Sequence, residues 1–441
     1  MLSLALALTL LAPPVQESAP APTKVFLLAG QSNMEGYTSS AWVREYAPEL
    51  VEPRDDVWCS WRGACGPLAP GTGYEVGLEL SLGRALGERF EAPVLLVKVA
   101  VGGTTLSDDW RPPSTVARVG GEIGYLYKAM AQRLRRVLSQ PQAACPEALA
   151  GGSFELGGFV WLQGESDSFE GREHGYEASL RELIADVRAA TATPALPVVV
   201  VQINDSGAWD DNGGGGPVVR AAQADVVAAD PRAALVVTSD LDPGYHYTDG
   251  DHVTIGYRVA QALWPLLEVP APTDLEALHA AWAEQERLFF PGRGPRPPLP
   301  QLHLSDLDWL SATSGWGGDP RRDQSIEGRP LSLDGEAFAR GIGTHAESDI
   351  VFALEPGYGR FVAVAGLDDE VAGRAVCSVV FQVLIDGEVA VSSPTLRTQE
   401  RWHFDLPIFE GAEQLTLRVL EADSGIDSDH ADWVDCGFIA R

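Results

Sequence analysis

Residues 24–36 read KVFLLAGQSNMEG. The run Lys24–Ala29 is apolar after its first residue and does not alternate, which is how a strand buried on both faces reads. Gly30 breaks the run, and Ser32 follows at what becomes the carboxyl end of the strand. Four further runs share this character: Val94–Ala100, Gly158–Leu162, Pro197–Ile203 and Ala234–Thr238. Helix-like patterns lie between and after them, over Glu75–Phe90, Gly124–Leu138, Tyr176–Ala190, Pro217–Ala229 and Thr254–Leu267. Continuous apolar strands alternating with amphipathic helices predict an α/β fold, a three-layer α/β/α sandwich around a five-stranded parallel sheet. Such sheets bind ligands beyond the carboxyl ends of their strands.

At 441 residues the chain exceeds the usual size of one core, so two domains are expected. Asp274–Phe290 reads as one more helix, and Pro291–Pro300 (PGRGPRPPLP) as a stiff linker. Beyond it come short alternating runs such as Phe381–Ile385, followed by Asp386-Gly387, a hairpin signal. The expected organisation is a first domain over 24–270, helix and linker over 271–303, and an all-β sandwich over 304–441. Residues 1–12 (MLSLALALTLLA) are too short to span a bilayer and read as a signal-peptide core, with a Pro-rich leader to residue 23. That predicts a secreted or periplasmic protein with no membrane insertion of the mature chain. The net charge of −30, from 32 Lys+Arg against 62 Asp+Glu, repels phosphate backbones and anionic lipid, so nucleic acid is excluded as a partner. Of five cysteines, Cys59 with Cys65 and Cys377 with Cys436 are the expected disulfide pairs, leaving Cys145 over. No C-x-x-C occurs, so a thiolate metal site has no support.

A serine at a strand's carboxyl end can expose its hydroxyl and offer its own N–H to a developing oxyanion. The competing reading of Ser32 is a helix cap. A nucleophilic serine needs a base, and a histidine acting as one needs a carboxylate to orient it. Two histidines have an aspartate three residues earlier: His252, after Asp249, and His430, after Asp427. Only His252 lies in the α/β domain, so it is the expected base with Asp249 its acid. His246 lacks such a carboxylate. Two other strand ends supply oxyanion donors: Gly102 and Gly103 through backbone N–H, and Gln163 through its side-chain amide.

The order Ser, Gly, amide, Asp-x-x-His resembles the SGNH hydrolase superfamily, whose fold is flavodoxin-like. GQSNMEG (30–36), VGGTTLSDDWRPPS (101–114), WLQGESD (161–167) and DGDHVTIGY (249–257) are similar to its sialate O-acetylesterase and family 6 acetylxylan esterase branch. The resemblance implies a Ser32–His252–Asp249 triad and an oxyanion hole of Ser32, Gly102 or Gly103, and Gln163. It also admits Glu165 as an auxiliary acid, and places Asp108 and Trp110 at the pocket or in the scaffold. Acyl transfer of this kind requires no cofactor and no metal.

Gly341–Ala346, Val364–Asp369 and Asp429–Trp433 resemble the NPCBM carbohydrate-binding modules. His345 and His430 are expected to serve the sandwich, and Trp309, Trp316, Trp402 and Trp433 are its candidate sugar-stacking rings. The expectation is a secreted carbohydrate O-acetylesterase acting on acetylated polysaccharide or oligosaccharide of the acetylxylan type. The alternatives are a sialate O-acetylesterase and a non-catalytic glycan-binding protein.

Overall fold

The computed structural model describes residues 21–441, apart from 63, 72–75, 140–143, 146–147, 149–151, 206, 211–213, 242–243, 249, 373, 375–376 and 423–424. The signal-peptide reading of residues 1–20 and the acid Asp249 lie outside the described residues.

The first domain opens with β1 (Thr23–Gly30), the short α1 (Ser32–Glu35) and α2 (Ser40–Tyr46), then β2 (Val57–Trp61) and β3 (Ala64–Pro67). Next come α3 (Glu79–Arg89), β4 (Val94–Ala100), α4 (Pro113–Val119), α5 (Tyr125–Ser139) and β5 (Phe154–Leu162). It continues with α6 (Glu173–Ala190), β6 (Val198–Val201), α7 (Gly207–Asp210), α8 (Gly216–Ala228), β7 (Ala233–Val236), α9 (Gly250–Leu267) and α10 (Leu275–Phe289).

The sheet runs β3-β2-β4-β1-β5-β6-β7, parallel except for β3, which pairs antiparallel with β2. It has seven strands rather than the expected five. The additional pair is a hairpin whose sequence, VWCSW and ACGP, lacks a continuous apolar run because it forms the sheet edge. Alternation along β1 divides two cores. Val25, Leu27 and Ala29 face α5, α6 and α8, while Phe26 and Leu28 face α3 and α9. Burial on both faces is why β1 reads as unbroken apolar sequence.

From β1 the chain builds outward through β4 and β2 on one side and β5, β6 and β7 on the other. The strand order therefore reverses about β1, which opens a crevice at its carboxyl end. The residues after β1, β4 and β5 meet there.

The C-terminal residues form two facing antiparallel sheets. One is ordered Arg321–Arg322, Gly341–His345, His430–Ala440, Tyr358–Leu367, Arg401–Pro407; the other Glu388–Ser392, Ser378–Ile385, Gln414–Glu421, Ser348–Ala353, Trp309–Ala312. Asp386 and Gly387 adopt φ of 50° and 84° between paired strands, the primed turn expected of Asp-Gly. Trp433 is fully buried between Phe381 and Phe404, with centroids 5.0 and 5.1 Å away. The sandwich meets the first domain through Arg136–Asp369 (3.2 Å) and through Arg397, whose guanidinium lies 4.4 Å from the Tyr125 ring centre.

Among the described residues a single disulfide forms, between Cys65 of β3 and Cys145. Cys59, Cys377 and Cys436 are free thiols, so neither expected pair exists. Cys59 and Cys65 lie in neighbouring antiparallel strands, where the register pairs Cys59 with Gly66 and Cys65 with Ser60. No described helix is long and apolar enough to cross a membrane.

Candidate active site

Gly30 shapes the carboxyl end of β1. A Cβ there would lie 2.0 Å from the Leu162 carbonyl oxygen of β5, so only glycine allows this approach. Gln31 N–H donates to the same oxygen (3.2 Å), the chain turns, and Ser32 becomes the first residue of α1. Gln31 occupies the cap position and no side chain caps the helix, so capping is not what the Ser32 hydroxyl does. Ser32 is 6% exposed, and its hydroxyl makes no hydrogen bond among the described residues. The far end of α1 is held by the buried Lys98, whose Nζ donates to the Glu35 carbonyl oxygen (2.8 Å) and pairs with Glu79 (2.8 Å).

Asn33 ties three strand ends together. Its Nδ2 donates to Glu165 Oε1 (2.6 Å), its Oδ1 accepts from Tyr247 N–H (3.1 Å), and its carbonyl oxygen lies 3.1 Å from His252 Nε2. A carbonyl only accepts, so His252 Nε2 carries the proton, and Nδ1 faces Thr38 Oγ1 at 3.2 Å. His252 thus reaches the peptide next to Ser32 rather than the Ser32 hydroxyl. It is fully buried, and burial pushes it down to about 3, so it is neutral. His246 is half-buried and also lowered by burial. Glu165 is fully buried and raised by burial, against the opposing hydrogen bond from Asn33. In the described hydrogen bonds it supports the Ser32 turn through Asn33 and does not touch His252.

On the other side of Ser32 lies Gly102. A Cβ there would meet Ser32 Cβ at 3.3 Å and Glu35 Oε2 at 3.1 Å, so the absent side chain lets this backbone lie against the serine. Neither the Ser32 N–H nor the Gly102 N–H is spent on a partner among the described residues. Gly103, at φ +74°, makes the turn and borders open space.

Gln163 requires a correction. Its Nε2 donates both hydrogens inward, to the Thr104 carbonyl oxygen (3.0 Å) and Asp167 Oδ2 (2.6 Å), so none is left for an oxyanion. Two acceptors facing that atom fix the amide orientation. Gln163 instead clamps β5 to the loop that carries Gly102. Asp167, buried and raised by burial, completes the clamp by accepting from Leu106 N–H (2.7 Å) and Ser107 N–H (3.0 Å). Trp110 is fully buried, donates to Thr104 Oγ1 (3.1 Å) and packs edge-on against Trp161, while Asp108 pairs with Arg111. Trp110 belongs to the scaffold, and Asp108 is exposed at the surface.

Sequence reasoning did not single out Asn33, Gln31 or Asp167, although all lie inside quoted motifs. Gln31 Oε1 accepts from Ser166 N–H (3.2 Å), another link between β1 and β5. Among the described residues no cluster of His, Cys, Asp or Glu is arranged to hold a metal ion.

In the sandwich, Trp402 and Trp433 are buried, Trp309 is half-buried and Trp316 is 53% exposed. The Trp316 ring lies nearly parallel to His430 (5.5 Å, 16°), whose Nδ1 is 2.7 Å from Glu370 Oε1.

Residues 301–439 match the NPCBM/NEW2 domain model. A probable carbohydrate esterase of Arabidopsis thaliana is 28% identical over 276 residues, covering 57% of this chain and 93% of that protein. An alpha-1,3-galactosidase B of Akkermansia muciniphila is 37% identical over 125 residues, covering 27% of this chain and 15% of that protein. The chain spans 10% and 15% of the lengths of two relatives named as glycosidases. Among solved structures, a CBM51 of a Clostridium perfringens GH95 protein, in complex with methyl-galactose, is 35% identical with a TM-score of 0.30, covering 31% of this chain and 99% of that one. Residues 22–265, more than half of the sequence, match the model described as carbohydrate esterase, sialic acid-specific acetylesterase, and the chain belongs to that family.

Proposed function

We propose that this protein is a secreted carbohydrate O-acetylesterase that removes acetyl groups from polysaccharide through an acyl-enzyme on Ser32. The observation that carries this reading is a Ser32 hydroxyl with no hydrogen bond among the described residues, beside two backbone donors likewise unspent among them, its own N–H and that of Gly102. His252 takes the hydroxyl proton as Ser32 attacks the acetyl carbonyl, and the two N–H groups hold the oxyanion. His252 then protonates the departing sugar oxygen. Water, deprotonated by the same histidine, cleaves the acyl-enzyme to acetate and free serine.

A histidine held near 3 is a weak acceptor for a serine proton, since a base works best with its pKa near the working pH. Catalysis by His252 therefore calls for the ring to leave the Asn33 carbonyl and turn an unprotonated nitrogen toward Ser32, with Asp249 as the acid that raises its basicity. Asn33, Glu165, Gln163 and Asp167 act as positioning residues. The net charge of −30 favours a neutral acetylated glycan such as acetylxylan over an anionic sialoside. The leader sequence and the Cys65–Cys145 disulfide support export. The exposed Trp316 face, with His430 and Glu370 behind it, is the proposed sugar-binding surface of the second domain.

The test is acetate release from a chromogenic acetyl ester and from acetylated xylan, pectin, mannan and sialosides. Ser32→Ala and His252→Ala are expected to abolish turnover, and Asp249→Asn to reduce it far more than Glu165→Gln. Full activity in Ser32→Ala would overturn the assignment.

A further inference from the structure

Five aromatic rings from four separate strand-end loops join into one row beside Ser32. Tyr37, in the loop after β1, stacks on His246 with centroids 4.0 Å apart and planes 9° apart. His246 meets Tyr245 at 4.8 Å, both in the loop after β7. Tyr245 meets Trp209, after β6, at 4.8 Å, and Trp209 meets Phe169, after β5, at 6.1 Å. The row begins at the nucleophile's own turn, because Tyr247, next to His246, donates its N–H to Asn33 Oδ1 (3.1 Å).

Four of these rings reach solvent. Tyr245 is 64% and Phe169 37% exposed, Tyr37 and His246 are half-buried, and Trp209, which joins Tyr245 to Phe169, is buried beneath them. Aromatic rings left in water at the mouth of a crevice mark a binding surface. The chemistry of the row narrows the ligand. Four of its five rings carry a polar edge, and the Trp209 Nε1 donor is buried without a hydrogen-bond partner among the described residues. Flat apolar faces with polar rims match a pyranose ring, which has a C–H face and hydroxyls around its edge. A long acyl chain would instead call for an enclosed aliphatic channel. The row also crosses four strand ends, more than an acetyl group can occupy.

We propose that Tyr37, His246, Tyr245, Trp209 and Phe169 form a glycan platform that seats the sugar units flanking the acetylated one, so that the site acts on oligosaccharide chains in preference to single sugars. This rests on the esterase reading given above. The platform holds the chain while Ser32 reaches one acetyl group on it, and its contribution lies in KM for long substrates.

The experiment uses the full chain, with Tyr245→Ala and Phe169→Ala as variants of the row's two exposed rings. Specificity constants are measured for a small chromogenic acetyl ester and for acetylated oligosaccharides of one to five units. In the native protein kcat/KM is expected to climb about tenfold or more with chain length. In Tyr245→Ala that climb flattens, mainly through KM, and the loss on the pentasaccharide exceeds the loss on the small ester by about tenfold. Absence of length dependence in the native protein overturns the proposal, as does an equal loss on both substrates. A loss confined to long-chain acyl esters also overturns it, in favour of an acyl-binding surface. Calorimetric binding of deacetylated pentasaccharide to Ser32→Ala, with and without Tyr245→Ala in a Trp316→Ala background, probes the platform independently of turnover. Weaker binding on loss of Tyr245 there supports the platform even if the esterase reading fails, and unchanged binding overturns it.

Discussion

Lowering the pH from 7 to 5 should destabilise this protein through His252 in particular. Burial pushes the ring from its ordinary 6.5 to about 3. The unfolded chain therefore binds a proton between those values that the native state does not. Native stability rises with pH across this window, is whole above 6.5, and drains as the pH falls toward 3. At pH 5 the unfolded histidine is almost fully protonated while the native one is neutral, which costs about 2 kcal/mol, roughly a 30-fold change in the unfolding constant. Raised carboxylates such as Glu165 and Asp167 act in the opposite direction, and a comparison removes them because they are present in both proteins. The assay is urea unfolding of the native sequence and of His252→Asn at both pH values. The native protein should lose about 2 kcal/mol more than the variant on acidification. Equal losses would show that His252 is not held neutral by burial, and the account of its buried resting position would fail with them.

Asn33→Ala leaves the buried Glu165 without its 2.6 Å donor, so a stability loss of about 1–3 kcal/mol in urea unfolding and a fall in kcat are expected. In Gly102→Ala the new methyl would press on Ser32 and Glu35, displacing an oxyanion donor; kcat for a small acetyl ester should drop by about tenfold or more with little change in melting temperature. Cys145→Ser opens a crosslink spanning 80 residues, which should lower unfolding free energy by about 4 kcal/mol and remove the sensitivity of the native protein to reductant. Trp316→Ala is expected to reduce retention on insoluble glycan in a pull-down while leaving small-ester turnover in place.

Much of the framework is legible in local sequence. The mostly apolar runs of β1, β4 and β5 announce strands buried on both faces, and the long helices fall within a few residues of their periodic patterns, while the short α2, α4 and α7 carry no such pattern. Gly30 is legible as the break before Ser32 and Gly102 as a backbone donor, while only the structure shows a carbonyl oxygen and the Ser32 side chain lying against the places of their Cβ atoms. The β2–β3 hairpin escapes notice because an edge pair with serine, cysteine and proline carries no such run. The partner of Cys65 is invisible for another reason: Cys145 is distant in sequence and comes within 5.4 Å only when α5 has packed on the sheet.

The site divides in the same way. That a serine stands at a strand's end, with glycines and an amide at its neighbours' ends, follows from residue order, because a parallel sheet brings such ends to one edge. Which groups those residues touch does not follow. Gln163 turns its donors to Thr104 and Asp167, Asn33 gathers Glu165, Tyr247 and His252, and five rings from four loops meet in a row. Strand and helix are set by short-range sterics and hydrophobic periodicity, which each segment carries within itself. Hydrogen-bond and stacking partners are set by which loops become neighbours, and that is decided only when the whole sheet has closed around β1.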